Sequence, residues 1–375
     1  MSNRFAELAA PGVRTLLPYV PGKPVEELER ELGIRDSIKL ASNENPLGPG
    51  AAARAAMAAA IDGIGQYPDG SGHRLRARIA ARHGLEPAQV TLGNGSNDLL
   101  VMLAEAFLTP ADEAVMSQYC FAVYPIAVQA AGATPCFAPA HGPDHAMPLG
   151  HDLEAFRTRV RPATRLVFIA NPNNPVGSWL GVRELHDFLL SLPAHVIAVV
   201  DEAYFEYSRE VDCADATRWL GKLPNLVVTR TFSKAYGLAG LRVGYALSHP
   251  DVADLLNRVR QPFNVNSLAL AAAEAALGDT AHLDTTVELN RAGLVELRRG
   301  VQRLGLRALP SAANFLLVDC GRPAGAVYEA LLYEGVIVRP VAGYGLPNAL
   351  RITVGTATDN ARCLAALERA LRVPA

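Results

Sequence analysis

Cysteine is scarce: Cys120, Cys136, Cys213, Cys320 and Cys363 are spread along 375 residues, and no two form a CxxC pair. That spacing argues against a disulfide framework and a thiolate zinc site, and most of the thiols are expected to be buried. Charge of one sign is also lacking. The formal net charge is -2, and no basic block offers the footprint that a nucleic-acid backbone requires. Apolar stretches are short or broken by charge, and the start MSNRFAELAAPG has no basic region followed by an apolar core. The expectation is a cytoplasmic protein with no membrane and no nucleic-acid partner.

Several catalytic signatures are absent too. No GxSxG elbow marks a serine nucleophile, and the single Asp-Glu pair on one strand cannot flank a sugar. His141 and His145 in HGPDH are separated by Gly and Pro, which defeats a helical metal pair, so no metal site is expected. The GxG of GNGSND lacks the third glycine of a dinucleotide fingerprint.

What is present is length and alternation. A chain of 375 residues, half of them hydrophobic and 19% charged, exceeds what one core usually organises. From about residue 90 to 250 the runs VTLG, EAVMSQY, LVFIANP, HVIAVVDE, LVVTRTF and VGYAL alternate with helical stretches. This predicts an α/β fold with a mainly parallel sheet covered on both faces. After Pro262 come a long Ala- and Leu-rich helical region, the strand-like NFLLVDC, a helix near AVYEALLYEG, and the short runs IVRP and LRITVG. The expected organisation is an N-terminal arm (1–45) packing on a smaller α+β domain (263–375), with a large domain (46–262) between them.

The polar motifs GNGSND, NPNNPVG, DEAY and TFSK each follow an apolar run. Ligands of such sheets sit beyond the strand C-termini, so these motifs should converge on one crevice. Lys234 in TFSK would ordinarily be a surface lysine. Its neighbours point elsewhere: Thr231 and Ser233 suit a phosphate, and Arg242 adds a charge-assisted contact. A lysine held neutral in such a place is a nucleophile. Gly95, Ser96 and Asn97 open a helix, where exposed N–H groups and the helix dipole favour an anion. Asp201 and Glu202 are competing carboxylates whose side chains should point to opposite faces of their strand.

Taken in order, PYVPGKP, KLASNENPLGP, YPDGSG, GNGSNDLL, FAVYP, NPNNPVG, VVDEAYFEY, TFSKAYGLAGLRVGYAL and LRITVGT span nearly the whole chain. They resemble the fold-type I aminotransferases that depend on pyridoxal 5'-phosphate, and among these the histidinol-phosphate aminotransferase family. The resemblance implies that Lys234 is the Schiff-base lysine and that Asp201, rather than Glu202, is the anion beside the pyridine nitrogen. Tyr204 and Asn174 would bond the ring's phenolic oxygen, with Asn173 the competing assignment. Phe121, where many relatives carry Tyr, would stack on the ring. Gly95, Ser96, Asn97, Thr231, Ser233 and Arg242 would hold the cofactor phosphate. Arg351 would take a substrate carboxylate and Arg339 the substrate's own phosphate, with Tyr19 and Asn43 bordering the pocket. Tyr67 would cross a homodimer interface to the partner's cofactor. Aromatic amino-acid aminotransferases share these motifs, threonine-phosphate decarboxylases share them in part, and a non-catalytic pyridoxal-phosphate-binding regulator is the alternative of another class.

Overall fold

Strands rich in Val, Ile and Leu, separated by helices, bury best as one sheet with helices on both faces. A computed structural model, which describes residues 4–372, has that arrangement. In chain order the first strands are β1 (Ile38–Lys39), β2 (Val90–Gly93), β3 (Glu113–Ser117), β4 (Thr134–Ala138), β5 (Thr164–Ala170), β6 (Ile197–Asp201), β7 (Leu226–Thr231) and β8 (Gly244–Leu247). All but β1 form a seven-stranded sheet in the order β2-β8-β7-β6-β5-β3-β4. Only β8 runs against its neighbours. Six of these strands are the six apolar runs of the sequence. The seventh, β4, was not anticipated: it carries Pro135, its residues are largely half-buried or exposed, and it lies at the sheet edge where proline is tolerated.

Alternation along the central strands decides what faces what. In β6, Ala198 and Val200 enter one core layer and Val199 the other. Asp201 follows Val199 in phase and Glu202 follows Val200. Glu202 is accordingly buried beneath the sheet. Its Oε2 accepts from Arg230 Nε and Nη2 at 2.9 and 2.7 Å, and its Oε1 accepts from Ala216 N at 2.7 Å. Arg230 also reaches Asp215 at 2.9 Å.

The remaining strands are β9 (Arg307–Ala308), β10 (Phe315–Asp319), β11 (Val336–Ile337), β12 (Arg339–Pro340) and β13 (Ala349–Thr353). A second, antiparallel sheet has the order β12-β13-β10-β9. The N-terminal segment joins this end of the molecule, because β1 pairs in parallel with β11. Helix Ser267–Ala276 packs Ala269, Ala272, Ala273 and Ala276 into the core of the large sheet. Helix Thr280–Arg303 belongs to both cores. Its Leu283 and Val287 pack with the large sheet, whereas Leu297 and Val301 pack with the small one. Among the described residues, no helix is long and apolar enough to cross a membrane.

Removing one partner of a buried ion pair strands the other charge, which typically costs about 3–5 kcal/mol. Glu202→Ala is therefore expected to lower stability by about that amount in urea unfolding. A loss below about 1 kcal/mol, the range of exposed pairs, would show that the Arg230 cluster is not the buried anchor described here.

Candidate active site

The C-terminal ends of β5, β6 and β7 open on a cleft of about 210 Å³. Because β8 is reversed, its first residue arrives at the same rim: Gly244 is the register partner of both Thr231 and Gly93. Crowding there requires glycine, since a Cβ on Gly244 would lie 2.7 Å from the Ser96 amide nitrogen. The residues singled out in the sequence converge here. Of the residues given a catalytic, cofactor-binding or substrate-binding role by the resemblance, all line the cleft except Gly95, Arg339 and Tyr67.

At its floor is Asp201, buried at the end of β6. Tyr124 Oη donates to its Oδ2 at 2.8 Å and Thr229 Oγ1 to its Oδ1 at 3.0 Å. Burial pushes this carboxyl above its ordinary value, while those two bonds and the Lys234 charge pull the other way. Neither Tyr124 nor Thr229 was identified from the sequence. The available signals were a lone tyrosine in the apolar helix Val123–Ala130 and a polar side chain in LVVTRT at the register position facing Asp201.

Lys234 stands just beyond β7, with Nζ donating to the Ser42 carbonyl at 3.0 Å and lying 5.7 Å from the Tyr204 ring centre. Burial, together with the positive charges of Arg351 and Arg242, pushes its amine down to about 7. The lysine therefore has a large neutral, nucleophilic fraction near neutral pH.

A cationic cup closes one end of the cleft. Helix Ser96–Phe107 starts there, with Gly95 as its N-cap at φ +77°. A Cβ on Gly95 would sit 2.3 Å from Arg242 Nη2, so the glycine lets the guanidinium approach the helix end. Arg242 Nη1 in turn donates to Ser233 Oγ at 3.1 Å. Ser96, Asn97, Thr231, Ser233 and Arg242, all residue types that can donate hydrogen bonds, line the same space.

At the other end lies Arg351, buried on β13. It donates from Nη1 to Asn174 Oδ1 and from Nη2 to the Ala41 carbonyl, both at 2.6 Å, while Nε has no partner. No carboxylate among the described residues pairs with it. A buried cation without an anion is poised to accept one. Arg339 is its cross-strand partner in the β12–β13 ladder. Its guanidinium donates to the Val20 carbonyl at 2.6 Å and lies 5.4 Å from the ring of Tyr19, which does line the cleft.

Phe121 and Tyr204 are aromatic walls, and Asn43 Nδ2 donates to Tyr204 Oη at 2.9 Å. Asn173, the competing assignment to Asn174, turns away and donates to the Tyr119 carbonyl at 2.9 Å. Tyr67 is 83% exposed, its ring stacked on Phe263 at 4.7 Å. His141 and His145 stack on each other in a loop, and no cluster of three metal-ligating side chains occurs among the described residues.

Comparison with known proteins follows the same geometry. Residues 35–369 match the family model "Aminotransferase class I and II". The chain belongs to this family of aminotransferases. It is 59% identical over 364 residues to the protein named histidinol-phosphate aminotransferase 2 of Methylococcus capsulatus, covering 97% of this chain and 98% of the relative. Identity to the protein of the same name from Pseudomonas fluorescens is 55%, covering 99% of both chains. The crystal structure of histidinol-phosphate aminotransferase from Sinorhizobium meliloti in complex with pyridoxal-5'-phosphate superposes with a TM-score of 0.88 at 31% identity, covering 97% of each chain. Aspartate aminotransferase of Thermus thermophilus shares the fold at 22% identity and a TM-score of 0.81. The α/β architecture with a mainly parallel central sheet is thus the fold of this aminotransferase family.

An amine titrating near 7 should react selectively. In protein stripped of small molecules, acetic anhydride is expected to acylate Lys234 ahead of the other lysines, with a rate that rises with pH and levels off above about 7. Peptide mass analysis reads the site. A Lys234 profile still rising steeply beyond pH 9, like an ordinary lysine, would contradict the buried environment.

Proposed function

We propose that the chain is a pyridoxal-phosphate-dependent histidinol-phosphate aminotransferase, transferring an amino group between the pair histidinol phosphate/imidazole-acetol phosphate and the pair 2-oxoglutarate/glutamate in histidine biosynthesis. The observation that carries this reading is one cleft holding a lysine pushed down to about 7, a buried carboxylate and a cationic cup, in a chain whose relatives of that name are 55–59% identical.

The donor set fits the cofactor. Asp201 supplies the anion for the pyridine nitrogen. Thr231, Ser233, Arg242 and the N–H groups of Gly95, Ser96 and Asn97 hold the phosphate. Phe121 offers a ring to stack on, and Tyr204 and Asn174 face the phenolic oxygen. Bound there, the cofactor supplies an aldehyde carbon for the amine and an electron-poor ring that accepts the electron pair left when the α-proton departs. Asp201 keeps the ring nitrogen protonated by its negative charge. Lys234 would carry the cofactor through its amine and, when free, would serve as the base that takes the proton from the substrate α-carbon. Arg351 binds the carboxylate of glutamate through its planar fork, and Arg339, one strand away, meets the phosphate of the other substrate. Tyr19 and Asn43 border the substrate pocket.

The same reading gives a homodimer in a cytoplasmic setting, with the exposed Tyr67 reaching the partner's cofactor phosphate. It also divides the chain into an N-terminal arm (1–45), a large domain and a small C-terminal domain. The packing favours a boundary inside helix Thr280–Arg303 over one at residue 262, because Ser267–Ala276, Leu283 and Val287 pack with the large sheet.

Three measurements test the reading. Purified enzyme with pyridoxal phosphate is assayed against histidinol phosphate, phenylalanine and threonine phosphate. Preference for the first is expected; brisk turnover of either other substrate with negligible turnover of the first rejects the assignment. Arg351→Ala should lower kcat/KM for glutamate by about 10²-fold, the loss of one charge-assisted pair worth about 3 kcal/mol. Lys234→Ala should also lose the visible absorbance of the lysine–cofactor link, and an unchanged spectrum would exclude Lys234 as the attachment point.

A further inference from the structure

Tyr204 has one hydrogen to give, and the structure constrains where it goes. Its Oη accepts from Asn43 Nδ2 at 2.9 Å, and among the described residues nothing accepts from Tyr204 in return. The hydroxyl lines the cleft, so its hydrogen is left for whatever the cleft binds. This holds only while Asn43 presents its nitrogen, not its oxygen, to the tyrosine. An amide has both ends, and rotation by half a turn would reverse the bond.

Thr353 disfavours that reversal, because a turned amide would bring a second N–H donor to its Oγ1 and take the amide oxygen away from its hydrogen. Its buried Oγ1 accepts from the Asn43 backbone N–H at 3.0 Å, which leaves its single hydrogen to donate to Asn43 Oδ1, also at 3.0 Å. The amide oxygen is thereby committed to Thr353 and the nitrogen to Tyr204. Asn43 is further fixed by its left-handed backbone, φ +55°, and by the bond from Asn314 Nδ2 to its carbonyl at 3.0 Å. Thr353 also shares a strand face with Arg351, two residues earlier on β13. One strand thus carries an anion-binding arginine and the residue that orients the tyrosine.

We propose that Thr353 is a positioning residue: through the amide of Asn43 it makes Tyr204 a hydrogen-bond donor to the cofactor's phenolic oxygen. The inference rests on the pyridoxal-phosphate reading above and assigns a role to a residue that does not itself touch the cleft. A donor to that oxygen stabilises its negative charge and so lowers the proton affinity of the nitrogen linking Lys234 to the cofactor. The other ionisable groups around Tyr204 are Lys234, Asp201, Arg351 and Tyr344, and the substitutions proposed here leave each of them in place.

The test is a spectrophotometric pH titration of the lysine–cofactor link in resting holoenzyme, with no turnover required. Thr353→Val keeps the shape of the side chain but frees the amide to turn, and should raise the titration midpoint by about one pH unit, a tenfold gain in proton affinity. Asn43→Asp, which offers Tyr204 an acceptor, should move it in the same direction. Thr353→Ser, which retains the hydroxyl, should titrate like the wild type. Thermal melts establish that each variant is folded. A folded Thr353→Val with the wild-type midpoint, or a Thr353→Ser shifted as far as the valine variant, overturns the inference while leaving the cofactor assignment intact. Wild-type protein that forms no absorbing link through Lys234 overturns both.

Discussion

A buried carboxylate at the end of a central strand is the constraint around which this molecule is organised. Asp201 has left water, and a carboxylate in that position survives only if hydrogen bonds and a cation compensate it. Thr229 supplies one bond from the adjacent strand and Tyr124 another from the helix above, with Lys234 close enough to lower the cost further. Each of these is fixed by the fold around the sheet: Thr229 by register, Tyr124 by the stacking of its ring on Phe168 of β5 at 4.9 Å, Lys234 by the turn that leaves β7. The lysine's own depressed amine is another effect of burial, compounded by two arginines. Two ionisable groups pushed in opposite directions from their ordinary values within one cleft is an arrangement suited to proton transfer.

A second dependence runs through three consecutive residues near the N-terminus. The Ala41 carbonyl accepts from Arg351, the Ser42 carbonyl from Lys234, and the Asn43 side chain donates to Tyr204. Backbone carbonyls of an ordinary loop would be satisfied by water. Here they are held by the pairing of β1 with β11 and by the bond from Thr353 N to the Leu40 carbonyl at 2.9 Å. The segment therefore joins the lysine of the large sheet to the arginine of the small one, and the spacing of the two ends of the cleft is set by a strap rather than by either sheet alone.

Much of this was legible in the sequence because period-two alternation and turn chemistry are local. The six apolar runs became strands, and the opposite orientation of Asp201 and Glu202 followed from side-chain phase, with Glu202 paired to Arg230 and Asp201 in the cleft. Strand β4 escaped because its edge position relaxes the need for an apolar face, so TPCFA carries little signal. Tyr124, Thr229 and Thr353 escaped for another reason: each acts through a partner more than two dozen residues away, and nothing in a tyrosine, a strand threonine or a terminal strand residue announces such a partner. Arg351 and Arg339 were identified separately, but their direct opposition across a ladder is a tertiary fact. Helix Thr280–Arg303 was expected as part of one long helical region; that its two halves enter different cores could not be read from a periodicity that is the same throughout.

That shared helix has a thermodynamic consequence. A continuous rod with its first half in one hydrophobic core and its second half in another cannot lose one core without exposing the end of the element that stabilises the other. The molecule's two layers are accordingly bound into a single cooperative unit, in which local loosening of either is resisted by both.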